Sequence, residues 1–107
     1  MTSSSGADGG FPPQPEGDSV VRVLEIVNTK GLHARASAKF VQTVEKYEAQ
    51  VRVTRGAESV GGTSIMGLMM LAAGPGTSIK VEAKGPQAAE VMAALEALVR
   101  GGFGEED

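Results

Sequence analysis

The sequence predicts one α+β domain, in which helices cover one face of an antiparallel sheet. A chain of 107 residues is long enough for one domain of modest core and short for two. Stretches in which β-branched residues alternate with polar ones are interspersed with stretches whose apolar residues recur every three or four positions. Clusters of Gly, Pro and Asn separate these stretches, which gives the order β-α-β-β-α-β-α with no internal repeat.

The first strand is predicted over residues 20–27, where the run VVRVLEIV is rich in β-branched residues. Val21 and Val23 share one face of this strand, and Arg22 and Leu24 share the other. The apolar character of the run favours a buried strand. The turn-forming sequence NTKG follows it.

A first helix is predicted to begin around His33. Beyond it, apolar residues recur at intervals of four, four and three, on one helix face: Ala36, Phe40, Val44 and Tyr47. Residues 50–55 then alternate Val51 and Val53 with polar side chains. A glycine marks a tight turn into a short strand near residues 58–60, so a hairpin is expected after the helix.

A short second helix is predicted in the segment IMGLMML, with Thr63 or Ser64 as its cap. The residues at helical spacing within it are Ile65, Leu68 and Met69. Methionines in such a pattern usually belong to the core, so about half of the methionine cluster is expected to be buried. The cluster consists of Met66, Met69 and Met70.

A fourth strand is predicted over residues 78–84, and a third helix follows it. Pro86 suits the first turn of this helix and Gly101 its C-terminal cap. The apolar face of the strand consists of Ile79, Val81 and Ala83. The apolar stripe of the helix consists of Ala88, Val91, Met92, Leu95, Leu98 and Val99.

The two ends of the chain differ in composition from its middle. Residues 1–18, rich in Gly, Pro and Ser, are expected to form a disordered tail. Residues 19–102 are expected to form the folded domain, and residues 103–107 a short acidic tail. The ends hold six of the thirteen acidic residues and no Lys or Arg, so the middle has seven acidic against ten basic residues. This positive bias would steer an acidic protein partner.

The composition argues against several classes of function. There is no cysteine, hence no disulfide and no thiolate metal site. The longest apolar run, residues 65–73, is too short to cross a membrane, and the first residues do not resemble a signal peptide. Scattered Lys and Arg without interleaved aromatics do not indicate nucleic-acid binding. One histidine without clustered carboxylates predicts no enzyme, metal or cofactor, and a cytoplasmic protein is expected.

The single histidine, His33, is predicted at a helix start, two residues after Gly31. A helix start has unpaired backbone N–H groups and partial positive charge, and therefore stabilises an anion. If His33 is the N-cap, the amides of Arg35 and Ala36 point towards its ring and would surround a phosphoryl group there. The forked guanidinium of Arg35 suits phosphate oxygens, and imidazole is itself a nucleophile.

A plainer interpretation fits the same residues. His33 would only cap the helix, and Arg35 would be an ordinary surface charge. The element order also fits a ferredoxin-like domain with a trailing helix, which would bind a ligand or act as a regulatory interaction domain. Residue pattern alone leaves these alternatives open.

Two segments nevertheless resemble signatures of the HPr family, the phosphocarrier proteins of the phosphoenolpyruvate-dependent phosphotransferase system. The segment GLHARASAKF at residues 31–40 is similar to the family's active-site signature GLHxRPA. The segment SIMGLMML at residues 64–71 resembles its second signature, built around a regulatory serine. The two segments occur in the right order, and the resemblance covers about residues 20–100.

The resemblance implies an open-faced sandwich, with a four-stranded antiparallel sheet and three helices on one face. It also implies a stoichiometric carrier, in which enzyme I phosphorylates His33 and the phosphoryl group passes to an enzyme IIA domain. Arg35 matches the arginine that contacts this group. Ser64 matches the serine phosphorylated by HPr kinase/phosphorylase in organisms that have it. The residues that match the partner-docking surface are Ile65, Met66 and Met69. A monomer is expected.

Ala36 departs from the family pattern, which usually has proline at this position. Alanine loosens the turn slightly but supplies one more backbone donor. The chemistry is expected to survive, while partner choice or transfer rate differs. The variant ASAKF resembles HPr proteins of the nitrogen-related branch, which regulate rather than transport sugar.

Overall fold

The computed structural model describes residues 19–105. The predicted tail over residues 1–18 and the last two residues of the predicted acidic tail lie outside the described residues. The element order confirms the prediction. The strands are β1 (Ser19–Glu25), β2 (Gln50–Arg55), β3 (Glu58–Gly61) and β4 (Ser78–Lys84), and the helices are α1 (Ala34–Val44), α2 (Ile65–Met70) and α3 (Ala88–Arg100).

The four strands form one antiparallel sheet in the order β1-β4-β2-β3. The buried side chains of the strands are those that face the helices, and they consist of Leu24, Val51, Val53, Ile79, Val81 and Ala83. Because α3 packs on β1 and β4 while α1 packs on α2 and α3, the three helices close one face of the sheet. The fold is therefore the expected open-faced sandwich.

Strand β1 is less buried than its sequence suggests. Among the described strands it lies at the edge of the sheet and pairs only with β4. Only its helix-facing side enters the core, so Leu24 is buried while Val21 is 44% and Val23 is 67% exposed. The prediction of a buried strand is wrong because a β-branched run does not show whether the outer face of its sheet is covered. The strand also ends at Glu25, before the predicted residue 27.

The two long helices bury most of the predicted stripes, and Leu98 of α3 is only partly buried. In α1 these include Ala36, Phe40 and Val44, while Tyr47 lies beyond the helix end and is partly buried. In α3, Gly101 is the C-cap as predicted, but Gln87 is the N-cap, so Pro86 precedes the helix rather than lying in its first turn. Among the helices of the described part of the chain, none is long and apolar enough to cross a membrane.

The segment after α3 differs from the predicted acidic tail. Gly102–Gly104 forms a short 3-10 turn, and the side chain of Phe103 is fully buried within the core. Lys39 donates from Nζ to the carbonyl of Phe103 at 2.6 Å. The boundary predicted after residue 102 is therefore too early, because the aromatic ring of residue 103 is part of the hydrophobic core and holds the backbone as far as Glu105 against α1.

Candidate functional site

His33 caps α1, as the sequence predicts. Its backbone is extended, with φ −76° and ψ −176°, and the helix begins at the next residue. The ring atom Nδ1 accepts a hydrogen bond from the backbone N–H of Arg35 at 3.2 Å. The side chain of His33 is 27% exposed, so the ring is held by the helix end and is still accessible to another protein.

The turn before His33 depends on a glycine. Gly31 has φ +64°, in the left-handed region, and a Cβ built on it would lie 2.3 Å from the carbonyl oxygen of Ala73. That same oxygen accepts a hydrogen bond from the N–H of Leu32 at 3.0 Å. Gly31 therefore supplies the backbone freedom expected of it, and it also lets the turn lie against the chain just after α2.

Glu105 lies against the other side of the histidine ring. Its Oε2 is hydrogen-bonded to Nε2 of His33, and its Oε1 accepts from Nδ2 of Asn28 at 3.0 Å. Asn28 is 2% exposed and also donates to the carbonyl of Gly31 at 3.0 Å. The hydrogen bond from His33, followed by that from Asn28, holds the pKa of the Glu105 carboxyl below its usual range.

Sequence reasoning missed Glu105, which it placed in a detached tail. The contact between His33 and Glu105 joins residues 72 positions apart, so no local pattern reveals it. One signal was present in the sequence. Phe103 is a large apolar residue inside the otherwise polar segment GGFGEED, and such a residue indicates that the segment packs against the domain.

A cavity of about 610 Å³ opens beside the His33 ring. Three basic side chains line it, those of Lys30, Arg35 and Lys39, together with the carboxylate of Glu105. The cavity lies at the start of α1, since Ala34 and Arg35 also line it, and the first amides of a helix have no backbone partner within the helix. Cations and unpaired amides around a nucleophilic ring favour the binding of an anion such as a phosphoryl group.

Ser64 caps α2, where its Oγ accepts from the N–H of Gly67 at 2.9 Å. This decides between the two predicted caps, Thr63 and Ser64. The side chain of Ser64 is exposed. A phosphate could therefore be attached without disturbing the core, although the present hydrogen bond to Gly67 would be replaced.

The outer side of α2 carries a methionine patch, which consists of Ile65, Met66, Met69 and Met70. These side chains are 39%, 71%, 40% and 70% exposed, respectively. The expectation that about half of the methionines lie in the core is wrong, because α2 is only six residues long and buries Leu68 alone. The hydrogen bond between Leu32 and Ala73 places the end of α2 beside the turn that carries His33.

The strand order distinguishes this sheet from a ferredoxin-like one, although every pairing is antiparallel in both. Here β4 lies between β1 and β2, whereas in the ferredoxin-like fold β3 separates the two strands of the split βαβ unit. An open-faced sandwich that presents one histidine at a helix start, among cations and beside an exposed apolar helix, is the architecture of a small histidine-based phosphoryl carrier.

The family comparison agrees with this class of protein. The family model described as "PTS HPr component phosphorylation site" matches residues 20–101. The chain belongs to the HPr family, the phosphocarrier proteins of the phosphotransferase system. The resemblance to the HPr family inferred from the sequence is thereby confirmed.

Relatives of known sequence and structure cover most of the chain. Phosphocarrier protein HPr of Neisseria meningitidis serogroup A is 54% identical over 82 residues, which cover 77% of this chain and 92% of that protein. HPr of Cupriavidus necator is 49% identical over 84 residues, which cover 78% of this chain and 94% of that protein. The crystal structure of HPr-C-His from Thermoanaerobacter tengcongensis has a TM-score of 0.78 at 40% identity and covers 82% and 99% of the two chains.

Proposed function

We propose that this protein accepts a phosphoryl group on His33 from enzyme I and passes it to an enzyme IIA domain. It would act as a stoichiometric intermediate rather than as an enzyme. The observation that carries this proposal is the position of Nδ1 of His33, which faces the start of α1 and accepts a hydrogen bond from Arg35 N–H at 3.2 Å. The nucleophile is thus already placed where an attached anion would be stabilised.

The chemistry requires little beyond this placement. The lone pair of Nδ1 attacks the phosphorus atom, a P–N bond forms, and the bond between phosphorus and its donor group on enzyme I breaks. The electron pair of that bond leaves with the donor. The N–H of Arg35, released from Nδ1, can then donate to a phosphoryl oxygen, and transfer to the acceptor reverses the same steps.

Three further groups support the phosphoryl group in this proposal. The guanidinium of Arg35 and the ammonium groups of Lys30 and Lys39 line the cavity beside the ring. Ala36 contributes an N–H where proline would have none, so this chain has one more donor in the first turn of α1. We expect the extra donor to favour the phosphorylated state and to alter the transfer rate.

The partner surface in this proposal combines the methionine patch with the basic rim of the His33 cavity. Within the patch, Ile65, Met66 and Met69 are exposed, and flexible methionine side chains adapt to more than one partner. That property suits a carrier that must dock in turn on enzyme I and on an enzyme IIA domain. A charged rim around an apolar centre is also typical of protein interfaces.

The remaining expectations stay predictions. We propose a monomer in the cytoplasm that meets neither nucleic acid nor membrane, although one structure of similar fold is described as an HPr dimer from Thermoanaerobacter tengcongensis, at 41% identity and a TM-score of 0.65. Assignment to the nitrogen-related branch rests on the ASAKF variant alone.

The central experiment incubates the protein with phosphoenolpyruvate and enzyme I and measures acid-labile phosphate. The wild type should acquire one phosphoryl group. His33→Ala and His33→Asn should acquire none, and the asparagine variant is the control for folding because asparagine is a strong N-cap. The alanine variant should lose only about 0.5–2 kcal/mol of stability. Phosphorylation of either variant by enzyme I would refute the assignment of His33.

We also propose that phosphorylation of Ser64 by an HPr kinase/phosphorylase regulates docking. A dianion beside Ile65 and Met66 is costly to desolvate in an apolar interface and repels an acidic partner. Ser64→Asp should therefore reduce the rate of phosphorylation by enzyme I roughly tenfold at low enzyme concentration.

The matched control is Ser64→Asn, which keeps a capping side chain of the same size without the charge. The rate at which enzyme I phosphorylates this variant should depend on concentration in the same way as the rate for the wild type. The two variants should unfold at similar temperatures, because both residues cap helices well. Coincident rate curves for Ser64→Asp and Ser64→Asn would remove Ser64 from regulation by charge.

A further inference from the structure

The carboxylate of Glu105 is held in place between the histidine and a buried amide. Oε1 accepts a hydrogen bond from Nδ2 of Asn28 at 3.0 Å, and Asn28 is 2% exposed. Two residues before Glu105, the ring of Phe103 is fully buried, and Lys39 donates to its carbonyl. Asn28 thus holds the carboxylate itself, and the two contacts of Phe103 hold the backbone that leads to it, unlike in an exposed ion pair on a free chain end.

The hydrogen bonds at the two ring nitrogens require the same tautomer of His33. A neutral imidazole has one proton, so one nitrogen donates and the other accepts. Nδ1 accepts from the N–H of Arg35 at 3.2 Å and therefore carries the lone pair. Nε2 faces an oxygen of the Glu105 carboxylate, which can only accept while it is ionised, so Nε2 carries the proton.

We infer that Glu105 is a positioning residue for phosphoryl transfer, which keeps the proton of His33 on Nε2 and so leaves Nδ1 as the nucleophile. This inference rests on the proposed function for its effect on transfer. Its structural part, the choice of tautomer, concerns the resting protein alone. A fixed hydrogen bond at one ring nitrogen is the means by which proteins select the reactivity of the other.

The same carboxylate stabilises the charge that transfer creates. As the P–N bond forms at Nδ1 and the donor departs with its electron pair, positive charge spreads over both nitrogens of the ring. No proton needs to leave, because Nε2–H stays bonded to Glu105. A carboxylate fixed before the reaction offsets this charge without reorganisation, and it contacts the ring at Nε2 rather than at Nδ1, where the phosphoryl group is attached.

The test compares the wild type with Glu105→Gln and Glu105→Asp, and uses Glu106→Gln as the matched control for loss of one acidic charge in the same segment. The first measurement is the 15N spectrum of the His33 ring at a pH where the ring is neutral. The wild type and Glu106→Gln should show Nε2–H as the dominant tautomer. Glu105→Gln, whose amide can donate as well as accept, should show a larger share of the Nδ1–H tautomer than the wild type, while the N–H of Arg35 still favours Nε2–H.

The second measurement is the steady-state rate with enzyme I and phosphoenolpyruvate. Glu105→Gln should lower kcat about tenfold with little change in the KM of enzyme I for this protein, as expected when one charged hydrogen bond to a developing charge is lost. Glu105→Asp keeps the charge and should recover part of the rate. Glu106→Gln should match the wild type.

The outcomes separate this inference from the proposed function. A wild-type protein that is never phosphorylated would refute the proposed function, and the 15N spectrum would still decide the tautomer. A dominant Nδ1–H tautomer in the wild type, or identical tautomers and kcat in Glu105→Gln and the wild type, would overturn the role of Glu105 even where His33 is phosphorylated normally.

Discussion

Replacing Phe103 with alanine should destabilise the domain by about 3–5 kcal/mol, the usual cost of removing a buried aromatic ring from a core. The ring is fully buried, and the residue adopts φ +59°, a backbone conformation that costs roughly 1–2 kcal/mol and persists only because packing compensates for it. A domain of this size is stabilised by about 5–15 kcal/mol in total. The substitution should therefore remove a large share of the stability.

Urea unfolding monitored by circular dichroism measures this loss as a fall in midpoint at unchanged slope. Phe103→Leu is the matched control, since a large apolar side chain should limit the loss to about 1.5 kcal/mol. Removing residues 106 and 107 should leave the midpoint unchanged. If Phe103→Ala cost less than about 1 kcal/mol, the segment after α3 would be a surface appendage, and the anchoring of Glu105 would have to be abandoned.

Three other predictions concern the site. Arg35→Ala should slow phosphorylation by enzyme I roughly tenfold without preventing it, because backbone donors remain; an unchanged rate would make Arg35 an ordinary surface residue. Gly31→Ala should cost about 2 kcal/mol or more in urea unfolding, since its Cβ would lie 2.3 Å from the carbonyl oxygen of Ala73. The hydrogen bond from His33 is the main cause of the lowered pKa of Glu105. The contact therefore stabilises the fold fully at pH values above 4.5, the ordinary pKa of this carboxyl, and the stabilisation is lost as the pH falls through the lowered pKa. His33→Ala should raise the pKa of Glu105 in an NMR titration, and no change would contradict the contact.

Short-range periodicity was sufficient for the interior elements. The predicted strands over residues 50–55 and 78–84 match β2 and β4, because alternation with period two depends only on neighbouring residues. The cap at His33 was equally local, since it depends on the glycine before it and the helical stripe after it. Family membership followed from the two signatures and was confirmed by the comparisons.

Features that depend on distant partners could not be predicted in this way. The exposure of Val23 depends on the uncovered outer face of the sheet, and that of Met66 on how few residues of α2 reach the core. The contact of Glu105 with His33 depends on the burial of Phe103, which brings this segment back to the turn before α1. In each case burial is decided by which elements meet across the fold, and the local pattern does not contain that information.

The position of β1 at the edge of the sheet has a consequence for the synthesis of the protein. Of the described strands β1 is synthesised first, yet its pairing partner is β4, which ends at Lys84, and the buried ring of Phe103 follows later still. Until β4 has been synthesised, the apolar strand β1 has no native strand beside it. Such late closure exposes β-forming segments to aggregation during translation. We therefore expect nascent chains that end before Phe103 to be sensitive to protease and to bind chaperones, and chains that extend past it to lose both properties together.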